Sequence, residues 1–208
     1  MIDNYKSLPL GKYLDICQVC KDESLEEIER QVKILSILSD MTEEEILHLP
    51  IPKYKEMVVA SRFLEDVDRN RHKAARLYIV GNWKLLPTMD YRKMETAQYV
   101  DFQTFAPMVE THMAELLSCL LVPVGCRYNE GYDILEVQKA IREEMSVSDG
   151  VSLAGFFLTW CRKSIKDSLN YSKQEAMRIK DKTKREEILG KIQEQERLLE
   201  KSGDGSPM

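Results

Sequence analysis

One pattern occurs twice in this chain, and it restricts the fold more than any other feature. Leu10-Gly11-Lys12-Tyr13-Leu14-Asp15-Ile16-Cys17-Gln18 and Glu95-Thr96-Ala97-Gln98-Tyr99-Val100-Asp101-Phe102-Gln103 both read Tyr-apolar-Asp-apolar with a Gln just after. A second echo follows each: Leu35-Ser36-Ile37-Leu38, then Leu117-Ser118-Cys119-Leu120. Tyr13 and Tyr99 are 86 positions apart and the two Leu-Ser pairs 82 apart, so a small difference in loop length reconciles them. A Tyr-Asp helix followed by an apolar helix, given twice, predicts two related helical modules.

The spacing of apolar residues supports helices throughout. Leu25, Ile28, Val32, Leu35 and Leu38 recur at intervals of three and four, the mark of one buried stripe. Ser24 with Glu27 and Thr42 with Glu45 both have the form of a capping box, in which hydroxyl and carboxylate each satisfy a backbone amide of the first turn. Pro52 suits a helix start, where its missing amide is harmless. Residues 65–76 are charged and read as a linker. In Leu77-Tyr78-Ile79-Val80-Gly81-Asn82-Trp83-Lys84-Leu85-Leu86, Gly-Asn separates two runs rich in aromatic and branched residues, which predicts a tight hairpin.

The second half predicts helices over 95–105 and 109–121, a loop over 122–132, and a helix opening at Asp133. A long helix over 151–171 follows, capped by 146–149 and apolar on nearly all sides at first, as the buried centre of its module. From residue 172 acidic and basic residues almost balance, so the net charge of −5 belongs to the preceding body. Ile179, Ile188, Ile192 and Leu199 leave a thin apolar stripe on this last, charged helix, and 203–208 read as disordered. The expected architecture is mainly α: module 1–64, linker and hairpin 65–94, module 95–171, charged C-terminal helix 172–208.

Composition narrows function. The hydrophobic fraction of 43% and charged fraction of 31% are those of a globular protein. An acidic balance argues against a nucleic-acid partner, which needs a basic face. The longest apolar run, 151–160, is about half what a bilayer requires, and no leader segment is legible at the N-terminus, so a cytoplasmic protein without a membrane partner is expected.

No pattern specifies catalysis. Cys17-Gln18-Val19-Cys20 has redox-type spacing, but it falls at the far end of a short helix with no strand before it. Cys119, Cys126, Cys161, His48, His72 and His112 are scattered, so no metal or cofactor is expected. Glu26-Glu27 and Glu43-Glu44-Glu45 occupy first turns, where negative charge offsets the helix dipole, and Glu143-Glu144 read as a solvated pair. The residues with the best claim to a partner are Tyr13, Asp15, Tyr99, Asp101, Phe102 and Phe105, with Met108, Met113 and Met145 able to line a groove for apolar helices. The same residues are equally consistent with core packing.

Taken together, the Leu-Gly-Lys-Tyr-Leu-Asp-Ile segment, residues 31–47 with Leu49-Pro50, Thr96-Ala97-Gln98-Tyr99-Val100-Asp101-Phe102-Gln103, Leu121-Val122-Pro123 and Tyr128-Asn129-Glu130-Gly131-Tyr132-Asp133 resemble tail-assembly accessory proteins of tailed bacteriophages. The resemblance covers residues 8–170. It implies a non-enzymatic tail assembly chaperone that binds the tape measure protein, or another tail protein, in the host cytoplasm, with homo-oligomers possible. The competing expectations are a structural virion component (tail, connector or baseplate), a DNA-associated adaptor, and a thiol enzyme built on Cys17 and Cys20.

Overall fold

The computed structural model describes residues 1–65, 74–88, 90, 93–109, 111–179 and 181–201. The fold is mainly α-helical with a small antiparallel sheet. The helices are α1 (Leu10–Lys21), α2 (Glu27–Ser39), α3 (Glu43–Leu47), α4 (Ile51–Ser61), α5 (Thr96–Phe105), α6 (Met113–Leu120), α7 (Ile134–Glu144), α8 (Val147–Met177) and α9 (Lys182–Lys201). The strands β1 (Tyr78–Val80), β2 (Trp83–Pro87) and β3 (Leu121–Pro123) lie in sequence order across the sheet.

The expected hairpin is present. Val80 pairs with Trp83 and Tyr78 with Leu85 around Gly81-Asn82, and Gly81 has φ +54°. The Thr42 hydroxyl accepts from the Glu45 amide while the Glu45 carboxylate accepts from the Thr42 amide, closing the expected capping box of α3. Asp133 caps α7 through the Leu135 amide, and Ser146 Oγ accepts from the Asp149 amide at the start of α8.

Three boundaries differ from the sequence reading. Ser24 does not cap α2: its amide and hydroxyl are both taken by Asp22 Oδ1, so the helix begins later, with Glu26 and Glu29 as the capping pair. The helix expected over 109–121 is only Met113–Leu120, and Leu121-Val122-Pro123 leaves it without a loop as β3. Branched Val122, held extended by the following proline, favours a strand there, and an edge position tolerates Pro123's missing amide. Leu85 pairs with Pro123 and Leu86 with Val122. The helix expected over 151–171 runs from Val147 to Met177. It is not buried all round at its start: Leu153, Ala154 and Phe157 are buried, while the equally apolar Val151 and Phe156 are exposed.

The chain forms two compact units, 1–154 and 155–208. Within 1–154, long-range contacts join the first helices to the segment around α7 and the start of α8. The Leu10 amide donates to Met145 O (2.8 Å) and the Val147 amide to Leu8 O (2.9 Å). Val147 joins Leu8, Ile16 and Leu38 in one buried cluster, and Arg142 donates to Asp15 (2.6 Å). A Cβ on Gly11 would lie 2.8 Å from Arg142 O, so α1 and α7 meet at a distance only glycine permits. A second cluster, Val32, Leu35, Ile46 and Met57, joins α2, α3 and α4. α6 is buried at Ala114 and from Leu116 to Leu120 and packs on both α5 and α7.

In the second unit, Leu169, Ala176 and Ile192 are buried, and Asp181 Oδ1 accepts from the Lys184 amide at the start of α9. Charge pairs such as Lys191–Glu187 (2.6 Å) lie exposed on α9. Most of the linker expected over 65–76, the segment expected to be disordered over 203–208, and His72 lie outside the described residues.

Candidate functional site

α5 is built the wrong way round for a surface helix. Its inward positions are Gln98, Asp101, Phe102 and Phe105, spaced three and four apart: Gln98 and Phe102 are buried, Asp101 and Phe105 half-buried. Two of these four are polar, and each is satisfied internally. Gln98 Nε2 donates to Cys119 O (2.6 Å) and Thr88 Oγ1 (3.0 Å), and its Oε1 accepts from the Glu95 amide. Asp101 accepts from the Tyr128 hydroxyl at 2.8 Å. Burial, then the bond to Asp101, push the Tyr128 phenol far above its ordinary pKa, so it stays a proton donor.

The outward positions of α5 and the 3-10 turn that continues it (Ala106–Met108) carry no charge. Thr96, Ala97, Tyr99, Val100, Gln103, Thr104, Pro107 and Met108 are all exposed, Tyr99 at 45%, Val100 at 55% and Met108 at 41%. In a chain that is 31% charged this is an unusual surface, because a helix as apolar outside as inside belongs in an interior. Asp101 is the one charged residue of α5, and it is turned to Tyr128. Glu95, which caps the helix, pairs with Arg127 at 3.2 Å, so its charge is matched as well.

The residues singled out in the sequence are placed unequally. Tyr13 is half-buried, edge-on to Tyr5 with ring centroids 6.3 Å apart. Burial, followed by the neighbouring Cys17, raises its phenol pKa. Asp15 is the partner of Arg142. Phe102 is a core residue, and Phe105 stacks on His112 with centroids 6.0 Å apart. Of the six, Tyr99 is exposed and outward. The equivalent tyrosines of the echo thus differ, Tyr13 packing inward and Tyr99 facing solvent, whereas both aspartates bind a side chain from later in the chain. Val100 was missed by the sequence reading; the signal for it is the run from Thr96 to Val109 with a single charged residue.

Cys119 is fully buried, and burial pushes its thiol up to about 11, which makes it a poor nucleophile at neutral pH. Cys17 is half-buried and Cys20 exposed at the end of α1, both as thiols. His48 closes α3 with its ring against Glu44 O (2.7 Å). Among the described residues no group of three or more His, Cys, Asp or Glu side chains is placed to hold a metal, and no helix is long and apolar enough to cross a membrane. Comparison with protein-family models, with curated proteins and with solved structures finds no match to this chain.

Proposed function

We propose that this protein is a non-enzymatic binding protein whose outer α5 face holds an apolar helical segment of a client. The observation that carries the reading is the uncharged exposed surface of Tyr99, Val100, Gln103, Thr104 and Met108, in a helix whose one charged side chain, Asp101, is turned to Tyr128. A helix laid along that face would cover Tyr99, Val100 and Met108 together with the uncharged Gln103 and Thr104, a surface suited to helix-in-groove recognition. Tyr and Met suit such a contact, since Tyr offers large area at low rotamer loss and Met adapts to varied neighbours.

With the resemblance to phage tail-assembly accessory proteins, the client we propose is the tape measure protein, bound in the host cytoplasm before the tail tube forms. A long apolar helix waiting for assembly aggregates unless it is covered. Modest affinity at each of many sites along such a client gives protection through multivalency and still permits release.

The test is co-expression with the tape measure protein of the same genome. Soluble co-purification, loss of that association in Val100→Glu, and absence of the chain from mature particles are expected. No association, with the chain retained in mature particles, would replace the reading with a structural virion protein.

A further inference from the structure

The sheet carries a second unpartnered surface, unrelated to α5. Val80 and Trp83 flank the two-residue turn, so the backbone groups of Tyr78 and Val80 are directed at β2 and those of Leu77 and Ile79 point to the open side of β1. β1 is the edge strand there. An edge of this kind is a template for one more strand.

The surroundings of the edge specify what that strand would be. On the outer face of the sheet Leu77, Ile79 and Leu86 are exposed at 43%, 72% and 44%, and Val122 pairs with Leu86 on the same side. Lys84, opposite Ile79, is the charged residue on that face. Antiparallel sheets ordinarily turn a polar face to water, so this apolar one favours a partner whose outward side chains are apolar. On the inner side a cleft of about 210 Å³ runs between β1 and the junction of α7 with α8. Glu144 and Asp149 line it, with Tyr78, Val80 and Met145. The Glu144 carboxylate lies against Gly81, where a Cβ would meet its Oε1 at 2.5 Å, and Asp149 is held by the Ser146 hydroxyl. Among the described residues no Lys or Arg lines the cleft. Both carboxylates therefore face it with no cation among the described residues.

The geometry points to β1 as a docking edge for an extended segment of a partner protein in which apolar and basic residues alternate. Backbone pairing with Leu77 and Ile79 supplies the affinity, apolar side chains cover the outer face, and Lys or Arg enters the cleft toward Glu144 and Asp149. Charge selects this occupant over a second copy of the chain, whose own cleft would bring two more carboxylates, Glu144 and Asp149, to the same edge.

A fluorescein-labelled Val-Lys-Val-Lys-Val-Lys peptide titrated against the full chain, read by anisotropy, tests it. Binding at least tenfold tighter than that of Val-Glu-Val-Glu-Val-Glu, and weakened fivefold or more by Glu144→Gln, is expected. Of two versions N-methylated at the valines or at the lysines, which keep the charge but block backbone pairing, at least one should lose tenfold or more. Undiminished binding by both N-methylated peptides, or indifference to Glu144→Gln, overturns the proposal. Self-association of the chain that Ile79→Lys abolishes would overturn it too, by assigning the edge to a second copy. Val100→Glu should leave peptide binding unchanged, which keeps this site separate from the client site on α5.

Discussion

Gly11 and Gly155 carry the same side chain and opposite consequences. At Gly11 a Cβ would press on the backbone oxygen of Arg142 at 2.8 Å, and backbone cannot step aside as a flexible side chain can. Gly11→Ala should destabilise the protein by about 1–3 kcal/mol through overpacking at the α1–α7 contact. At Gly155, within α8, a Cβ would meet nothing within 4 Å. Gly155→Ala should therefore stabilise by about 0.5–1 kcal/mol, from helix propensity alone. Urea midpoints of the two variants check both signs. Cys119 makes a different residue-level prediction. Its thiol titrates near 11 in the folded protein against an ordinary 9.0, so the folded state holds the proton more tightly. The stability this supplies is fully present below about pH 9 and is lost as pH rises from 9 toward 11, by at most about 2.7 kcal/mol for two pKa units. The raised phenols of Tyr13 and Tyr128 act with the same sign, from about pH 10 upward. Unfolding midpoints at pH 8, 9 and 10 should fall, and Cys119→Ala should fall less steeply between pH 8 and 10.

At the scale of an element, α5 separates stability from binding on its two faces. Phe102→Ala empties a core position 3% exposed and should cost about 3–5 kcal/mol. Val100→Glu changes an exposed side chain two positions away and should move stability by no more than about 0.5 kcal/mol while removing client association. Thermal melts set beside pull-downs separate the effects, and a large stability loss in Val100→Glu would show that the face is not free. The inward face at 98, 101, 102 and 105 explains why the Tyr-x-Asp echo was readable as a helix but not as a surface. Periodicity identifies a helix from where apolar residues recur. In α5, apolar residues occur all round, and the polar Gln98 and Asp101 point inward because Cys119 O, Thr88 and Tyr128 await them. Those partners lie 10 to 27 residues away in sequence, beyond any local pattern.

For the whole molecule, the decisive interactions join the first 64 residues to the α7–α8 junction. A fragment of residues 1–94 lacks Val147 from its core cluster, the Met145 carbonyl that receives the Leu10 amide, and Arg142 for Asp15. It should give no cooperative unfolding transition, whereas the full chain should; circular dichroism melts distinguish the two. Independent melting of 1–94 would show instead that this segment is a self-sufficient module. The half-exposed Arg142–Asp15 pair by itself is worth little in water, on the order of 0.5 kcal/mol, so the burial of Leu8, Ile16, Leu38 and Val147 carries the union.

Sequence alone determined the mainly helical class, the hairpin at Gly81-Asn82, and the caps at Thr42, Asp133 and Ser146. Each depends on side chains within about four residues of one another, the range over which periodicity, turn chemistry and capping act. Tertiary structure decided the rest. Leu121-Val122-Pro123 became a strand because β2 offers a pairing edge, and α1 closed on α7 through Gly11. It also decided which side of α5 meets water. Burial is a property of what a chain folds against, and those surfaces come from elements remote in sequence.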